Sequence, residues 1–237
     1  MINIRGSFLL MLIASMIILS CKEGEQKIEY KKTYHRNGKL FEVIPHINGK
    51  IHGIKLEYYE EGVLRKETPY DSGYVHGNVK VYYPDGKLFS VTPRLKGKIH
   101  GNVIKYHKNG AIQSETPYLN NKLQPGLKEY NQKGVLQDTP SIVFSLKKEK
   151  HSRDLSLTLE ARLSSGLKSV KFSQAVQLHE KGIDYIPLQS DDGVGKLFVK
   201  LPPGSSIDNT IQLRAEFITS FRNRCLVEGT YRLVASN

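Results

Sequence analysis

Eight histidines, two cysteines and a scatter of acidic residues are the side chains of this 237-residue sequence that could do chemistry. His52-Gly53, His76-Gly77 and His100-Gly101 recur every 24 residues. If each pair closes an equivalent hairpin, successive histidines lie two strands apart, about 10 Å. Nitrogens sharing one zinc sit ~2.0–2.1 Å from the ion and so roughly 3–4 Å from one another. The column therefore cannot converge on one ion, and the histidines read as turn residues packed or hydrogen-bonded beside glycine. Asp191-Asp192 precedes Gly193 and reads as a polar turn without EF-hand spacing. No G-x-S-x-G, H-E-x-x-H, phosphate-binding loop or G-x-G-x-x-G occurs. No metal and no cofactor are expected, and nothing in the sequence argues for an enzyme.

Of the two cysteines, Cys21 carries the stronger signal. Met1–Arg5 is a short leader with one positive charge, and residues 8–19 (FLLMLIASMIIL) are an apolar run of twelve interrupted only by Ser15. That length suits a signal-peptide core and falls short of the ~20 residues of a spanning helix. Ile18-Leu19-Ser20-Cys21 then resembles a bacterial lipobox, in which the cysteine is lipidated and becomes the first mature residue. Residue 18 is more often Leu in that motif, and residue 19 is usually smaller. An ordinary secretory peptide is the alternative. Lys22-Glu23-Gly24-Glu25 loosely resembles the tether that carries some lipoproteins to the cell surface. The expected address is a bacterial cell envelope, lipid-anchored in the outer membrane, with the cell surface left open. Cys225 then has no disulfide partner and reads as a buried small hydrophobe.

Charge narrows the partners. Lys and Arg number 35 against 23 Asp and Glu, a net charge of +12. The excess is spread: residues 22–140 hold 20 basic and 13 acidic side chains, and residues 141–237 hold 14 and 10. Export removes nucleic acid as a partner. What remains for a basic envelope protein is a membrane reached through lipid on Cys21, an acidic protein, or an anionic polymer.

The elements that must position these residues are repeats. Gly38, Gly62, Gly86, Gly110 and Gly134 are spaced by 24 residues, as are Tyr34, Tyr58, Tyr82, Tyr106 and Tyr130. Pro45, Pro69, Pro93 and Pro117 keep the frame, Pro140 arrives one residue early, and Gln124-Pro125 replaces His-Gly in the fourth copy. Fixed periods of this size mean stacked supersecondary units. A Tyr-bearing strand leads into a Gly-closed turn and a second strand that ends at proline, which has no N–H for the ladder. A second turn carries Gly49, Gly73, Gly97 and, in the fourth copy, Asn121, the next most tolerant residue for positive φ. The column Leu40, Leu64, Leu88, Ile112 and Leu136 is apolar throughout, which predicts a buried stripe.

YEEG, YPDG, HKNG and the three His-Gly pairs resemble the MORN-repeat family in its bacterial variant, over residues 26–140. The resemblance implies a row of antiparallel hairpins in one long sheet, ten strands over roughly 45 Å at ~4.8 Å each. It also implies a binding rather than a catalytic role. Some members carry a methyltransferase domain, but none of its motifs follows Pro140. Bacterial relatives are often labelled antitoxins, so a protein that neutralises a toxin is the second functional expectation. The degenerate last copies read as the join to the next domain.

The whole chain is thus expected to be all-β, an elongated antiparallel sheet of hairpin repeats (26–140) followed by an immunoglobulin-like β-sandwich (141–237), with residues 1–21 as a signal peptide. Six or seven strands are predicted after Pro140, and QAVQLHEKG (174–182) reads as one or two helical turns. The expected function is a non-catalytic envelope lipoprotein whose repeat sheet recognises its partner. Tyr59 and Tyr83, next to the repeat tyrosines, are expected on an open face, because tyrosine offers apolar area and a polar tip. Lys55, Lys80, Lys87, Lys105 and Lys108 lie on the same strands and turns and are expected to favour an acidic partner.

Overall fold

The computed structural model describes residues 27–178 and 182–237, so the leader, Cys21 and residues 179–181 lie outside the described residues. Each of four repeats folds into two long strands and a two-residue one. These are β1 (Glu29–Tyr34), β2 (Leu40–Ile47) and β3 (Lys50–Ile51), then β4 (Gly53–Tyr58), β5 (Leu64–Asp71) and β6 (Tyr74–Val75). The third and fourth repeats give β7 (Gly77–Tyr82), β8 (Leu88–Leu95), β9 (Lys98–Ile99), β10 (Gly101–Tyr106), β11 (Ile112–Leu119) and β12 (Lys122–Leu123). The fifth contributes only β13 (Lys128–Glu129), and all pair antiparallel in one 13-stranded sheet.

Turn chemistry builds this frame. Gly86 N donates to Tyr83 O (2.9 Å) while Tyr83 N donates to Lys87 O (2.8 Å), with Gly86 at φ +83°. Just before it the β7–β8 register shifts between Val81 and Tyr82, a bulge that is repeated in all four hairpins. At the opposite rim Asn48, Ser72, Lys96 and Asn120 take positive φ, followed by Gly49, Gly73, Gly97 and Asn121. Two successive left-handed residues make the two-residue type I′ turn, whose twist matches the strands it joins. The glycine after each histidine has a different reason: at Gly101, φ is +109° and a Cβ would meet Pro93 Cγ at 3.2 Å. In the fourth copy Gln124 takes the histidine's place, its N–H donating to Pro117 O (2.9 Å) as His100 N does to Pro93 O (3.1 Å). Pro125 stands at the repeat glycine's position and the positive φ passes to Gly126, with the 24-residue frame kept at Tyr130.

Two expectations for the repeats are corrected. The second strand of the fifth hairpin does not form: only an isolated bridge joins Tyr130 to Leu136, because the next domain occupies the place of a further repeat. The 40/64/88/112/136 column is not a buried stripe either. Leu40, Leu64 and Leu88 are half-buried, while Ile112 and Leu136 are exposed. The column borders the turns, at the margin of a one-layer sheet that has no second layer to cover it. What the sheet buries instead is central and largely polar: Glu57, Thr68, Val79, Ser90, Ser114 and Thr116.

After the repeats, β14 (Ile142–His151), β15 (Asp154–Leu163), β16 (Val170–Leu178), β17 (Gly182–Pro187), β18 (Gln189–Asp191), β19 (Val194–Leu201), β20 (Ser206–Ile218) and β21 (Arg224–Ser236) form two four-stranded sheets. Their orders are β14-β15-β19-β18 and β17-β16-β20-β21. Lettered along the chain, these are A-B-E-D and C′-C-F-G, the immunoglobulin-like arrangement. The single hydrophobic core lies between the sheets, with Leu157, Leu159 and Ala161 facing Phe172, Leu213, Ala215 and Leu233. Cys225 is fully buried in it, and burial pushes its thiol up to about 11. Residues 174–178, expected as part of a helical segment, belong to β16, because each pairs with β17, from Gln174–Ile186 to Leu178–Gly182.

Candidate recognition surface

Tyr59 and Tyr83 are not free on an open face. Tyr59 Oη donates to Tyr82 O (2.7 Å) and Tyr83 Oη to Tyr106 O (2.8 Å), so each ring staples its own repeat to the next. His35 and His107 occupy the same place in the first and fourth repeats, with Nε2 3.0 Å from Tyr58 O and 2.8 Å from Tyr130 O. The polar tip that suits tyrosine to a partner is consumed within the array. Position in the frame, rather than residue identity, is the signal that unites these four rings. Three of them also meet a second ring edge-on: His35 on Phe41, Tyr83 on Phe89, and His107 on Phe221, centroids 4.9, 5.1 and 6.1 Å apart. The last partner comes from the sandwich, since residue 113, which follows His107 as Phe89 follows Tyr83, is Gln.

The five lysines are likewise dispersed. Lys55 Nζ lies 2.7 Å from Glu42 and 3.4 Å from Glu57, and Glu57 also receives Arg65 at 2.6 Å. Burial raises the Glu57 carboxyl, but the hydrogen bond from Arg65 and the charges of Lys66 and Lys55 outweigh it and hold it below the ordinary value. Lys80 pairs with Glu67 (3.3 Å) on the opposite face. Lys87 reaches Lys108 O (3.1 Å), another repeat-to-repeat contact, and Lys108 itself is exposed on its turn. Three of the five, Lys55, Lys80 and Lys87, therefore serve the sheet itself.

Lys105 takes part in the junction between domains. Its Nζ donates to Asn223 Oδ1 (2.6 Å), and Asn223 Nδ2 donates to Glu129 Oε1 (2.6 Å). Thr219 Oγ1 donates to the same carboxylate oxygen at 2.6 Å. Thr219 and Asn223 bracket the turn between β20 and β21, and Asn223 is only 2% exposed. Desolvation lowers the Lys105 ammonium, partly offset by the charge of Glu129. Leu127 adds an apolar contact by entering the sandwich core. This lock was not foreseen, because its partners lie 90 to 118 residues apart.

A charge pattern with twice the repeat length runs along the face that carries Lys80. The residues in register there are Val43–Leu56, Glu67–Lys80, Val91–Ile104 and Glu115–Lys128, so apolar and oppositely charged positions alternate.

Uncommitted cations collect elsewhere, at the rim of type I′ turns. Residues 47–50, 71–74, 95–98 and 119–122 contain Lys50, Lys96, Lys98 and Lys122 against one acid, Asp71. All four lysines are exposed, and none joins an ion pair among the described residues. Asp71 lies 3.6 Å from His52 Nδ1. Among the described residues no cluster of three or more His, Cys, Asp or Glu could hold a metal.

Residues 51–72, 75–93 and 99–120 match the MORN repeat variant family. The chain carries MORN repeats. The rim lysines lie just outside the matched stretches: Lys50 before the first, Lys96 and Lys98 between the second and third, and Lys122 after the last. No curated protein and no solved structure matches the chain.

Proposed function

We propose that this protein is a non-catalytic cell-envelope lipoprotein, lipidated at Cys21, whose MORN sheet binds an anionic envelope polymer along the type I′ turn rim. The observation that carries this reading is the contrast between the two sets of lysines. Lys55 and Lys80 are paired with glutamates inside the sheet, while Lys50, Lys96, Lys98 and Lys122 extend into solvent without acidic partners among the described residues. Consecutive hairpin turns are two strands, about 10 Å, apart. Unpaired cations at that spacing attract a flexible polyanion more than one compact anion, and the attraction is screened by salt.

Two measurements test the two halves of the reading. Labelling with a palmitate analogue should mark the wild type and not Cys21→Ala; a Cys21→Ala protein that still labels refutes the anchor. Detergent-solubilised full-length protein should be retained by immobilised polygalacturonate at low salt and released at high salt. Lys96→Glu/Lys98→Glu should abolish retention, whereas Tyr59→Phe/Tyr83→Phe should not. Retention that survives the lysine changes refutes the rim.

A further inference from the structure

The rim ends in a cleft. Its last turn, Asn120-Asn121, delivers Asn121, Lys122 and Leu123 to one wall of a cavity of about 580 Å³ whose other wall is the C′-C-F-G sheet of the sandwich. That volume falls within the range of small-molecule sites, which favour domain boundaries. The floor is apolar, with Pro187 and Leu226 among its residues, and the walls carry Lys122, Lys171, Arg214 and Arg224 against Glu216.

The cations differ in how they are held. Arg214 Nε donates to Glu228 (2.6 Å), and its guanidinium lies 3.5 Å over the Tyr185 ring. Arg224 donates to Glu216 through Nε (3.1 Å) and Nη2 (2.5 Å). Both guanidinium planes are thereby fixed in position with part of their charge met. Lys122 and Lys171 make no ion pair among the described residues and are exposed. Asn121 is fixed too: its Oδ1 accepts from Ile99 N (2.7 Å), leaving the Nδ2 group to donate elsewhere. An apolar floor, fixed planar groups, hydroxyls from Ser173 and Ser190, and surplus positive charge at the wall suit a particular chemistry. It is that of a ring with one apolar face, several hydroxyls and a carboxylate.

We infer that this cleft binds a carboxylated sugar unit of the polymer that lies along the rim, with Lys122 and Lys171 meeting the carboxylate. The inference rests on the rim-binding reading, since Lys122 belongs to both. A short uronate occupies the cleft alone, while a long one runs on across Lys98, Lys96 and Lys50. The sandwich thereby supplies the specificity and the MORN sheet supplies length-dependent affinity.

The test uses full-length protein in detergent and three fluorescently labelled probes: tetragalacturonate, neutral maltotetraose and a penta-glutamate peptide. Tetragalacturonate should bind, and Lys171→Glu should weaken it at least tenfold with thermal unfolding unchanged. Lys50→Glu/Lys96→Glu should leave the tetramer unaffected but weaken long polygalacturonate. Equal binding of maltotetraose, stronger binding of the glutamate peptide, or an unaltered affinity in Lys171→Glu overturns the inference. If polygalacturonate is retained through the rim while tetragalacturonate does not bind, the cleft fails and the rim stands. If neither binds, both fall.

Discussion

Replacing Asn223 by Ala removes the side chain that joins the two domains, and the structure sets the size of the effect. Asn223 is 2% exposed and makes two hydrogen bonds to charged groups, accepting from Lys105 Nζ and donating to Glu129 Oε1, both at 2.6 Å. Hydrogen bonds to charged partners contribute ~1.5–3 kcal/mol each. Glu129 keeps the bond from Thr219 Oγ1, so its loss is partial, whereas the half-buried Lys105 ammonium keeps only the more distant charge of Glu129. A destabilisation of about 3 kcal/mol follows. At ~2–4 °C per kcal/mol for a chain of this size, the melting temperature should fall by ~6–12 °C. Differential scanning calorimetry is the suitable assay, because it also shows whether one transition splits into two when the domains uncouple. A melting temperature for Asn223→Ala within 2 °C of wild type, with a single transition, would show that the Asn223 side chain contributes nothing to the junction.

Three other outcomes are expected. Gly101→Ala should destabilise by ~1–3 kcal/mol in urea unfolding, because its φ of +109° and the Pro93 ring at 3.2 Å both oppose a Cβ; Gly49→Asn, at φ +74° with open space around it, should lie within ~0.5 kcal/mol of wild type. Tyr83→His should cost less than Tyr83→Ala in the same assay, since His35 and His107 already make the equivalent contact; equal costs would mean that the hydrogen bond to Tyr106 O contributes nothing. The Glu57 carboxyl is held below its ordinary value of 4.5, so its contribution is present above the unfolded pKa and is lost as pH falls through the folded one. The stability gap between wild type and Glu57→Gln should therefore narrow below pH 4.5, and a gap that is constant from pH 7 to pH 3 contradicts the ion cluster around it.

The frame of this fold was legible because its turns demand particular residues. Gly86, the Gly49/Gly73/Gly97/Asn121 positions and the prolines facing Gly53, Gly77 and Gly101 fix backbone geometry locally, so a single sequence displays them. Six of the eight sandwich strands were legible from alternation and turn signals, while the exposed β17 and the three-residue β18 were not. Side-chain allegiance was not legible. Leu64 and Leu88 look like core, but a one-layer sheet buries its centre rather than its turn-proximal margin, and Thr68 and Ser114 take that place. Tyr59 and Tyr83 stood out as tyrosines, which hid their equivalence to His35 and His107. The alternation Val43, Glu67, Val91, Glu115 has a period of 48 and is invisible in a frame of 24. Asn223 sits in a polar hairpin turn, and nothing near it in sequence points to Lys105 or Glu129.

The ring staples all point one way. His35, Tyr59, Tyr83 and His107 each hold a carbonyl of the repeat that follows, never of the one before. Mechanically, the array is a zip fastener with a defined open end. Among the described residues the first repeat is clasped on its downstream side, by one ring staple, the β2–β4 ladder and side-chain contacts such as Lys55–Glu42, while the fourth is clasped to its upstream neighbour and to the sandwich hairpin turn. A load applied through the N-terminus meets the least secured hairpin first and sheds repeats singly, each release giving up a small force and a fixed length of chain. The same load applied through the C-terminus must first shear β21, thirteen residues paired along their whole length with β20. The molecule is therefore compliant at one end and stiff at the other, and a tether at its N-terminus would act as a shock absorber.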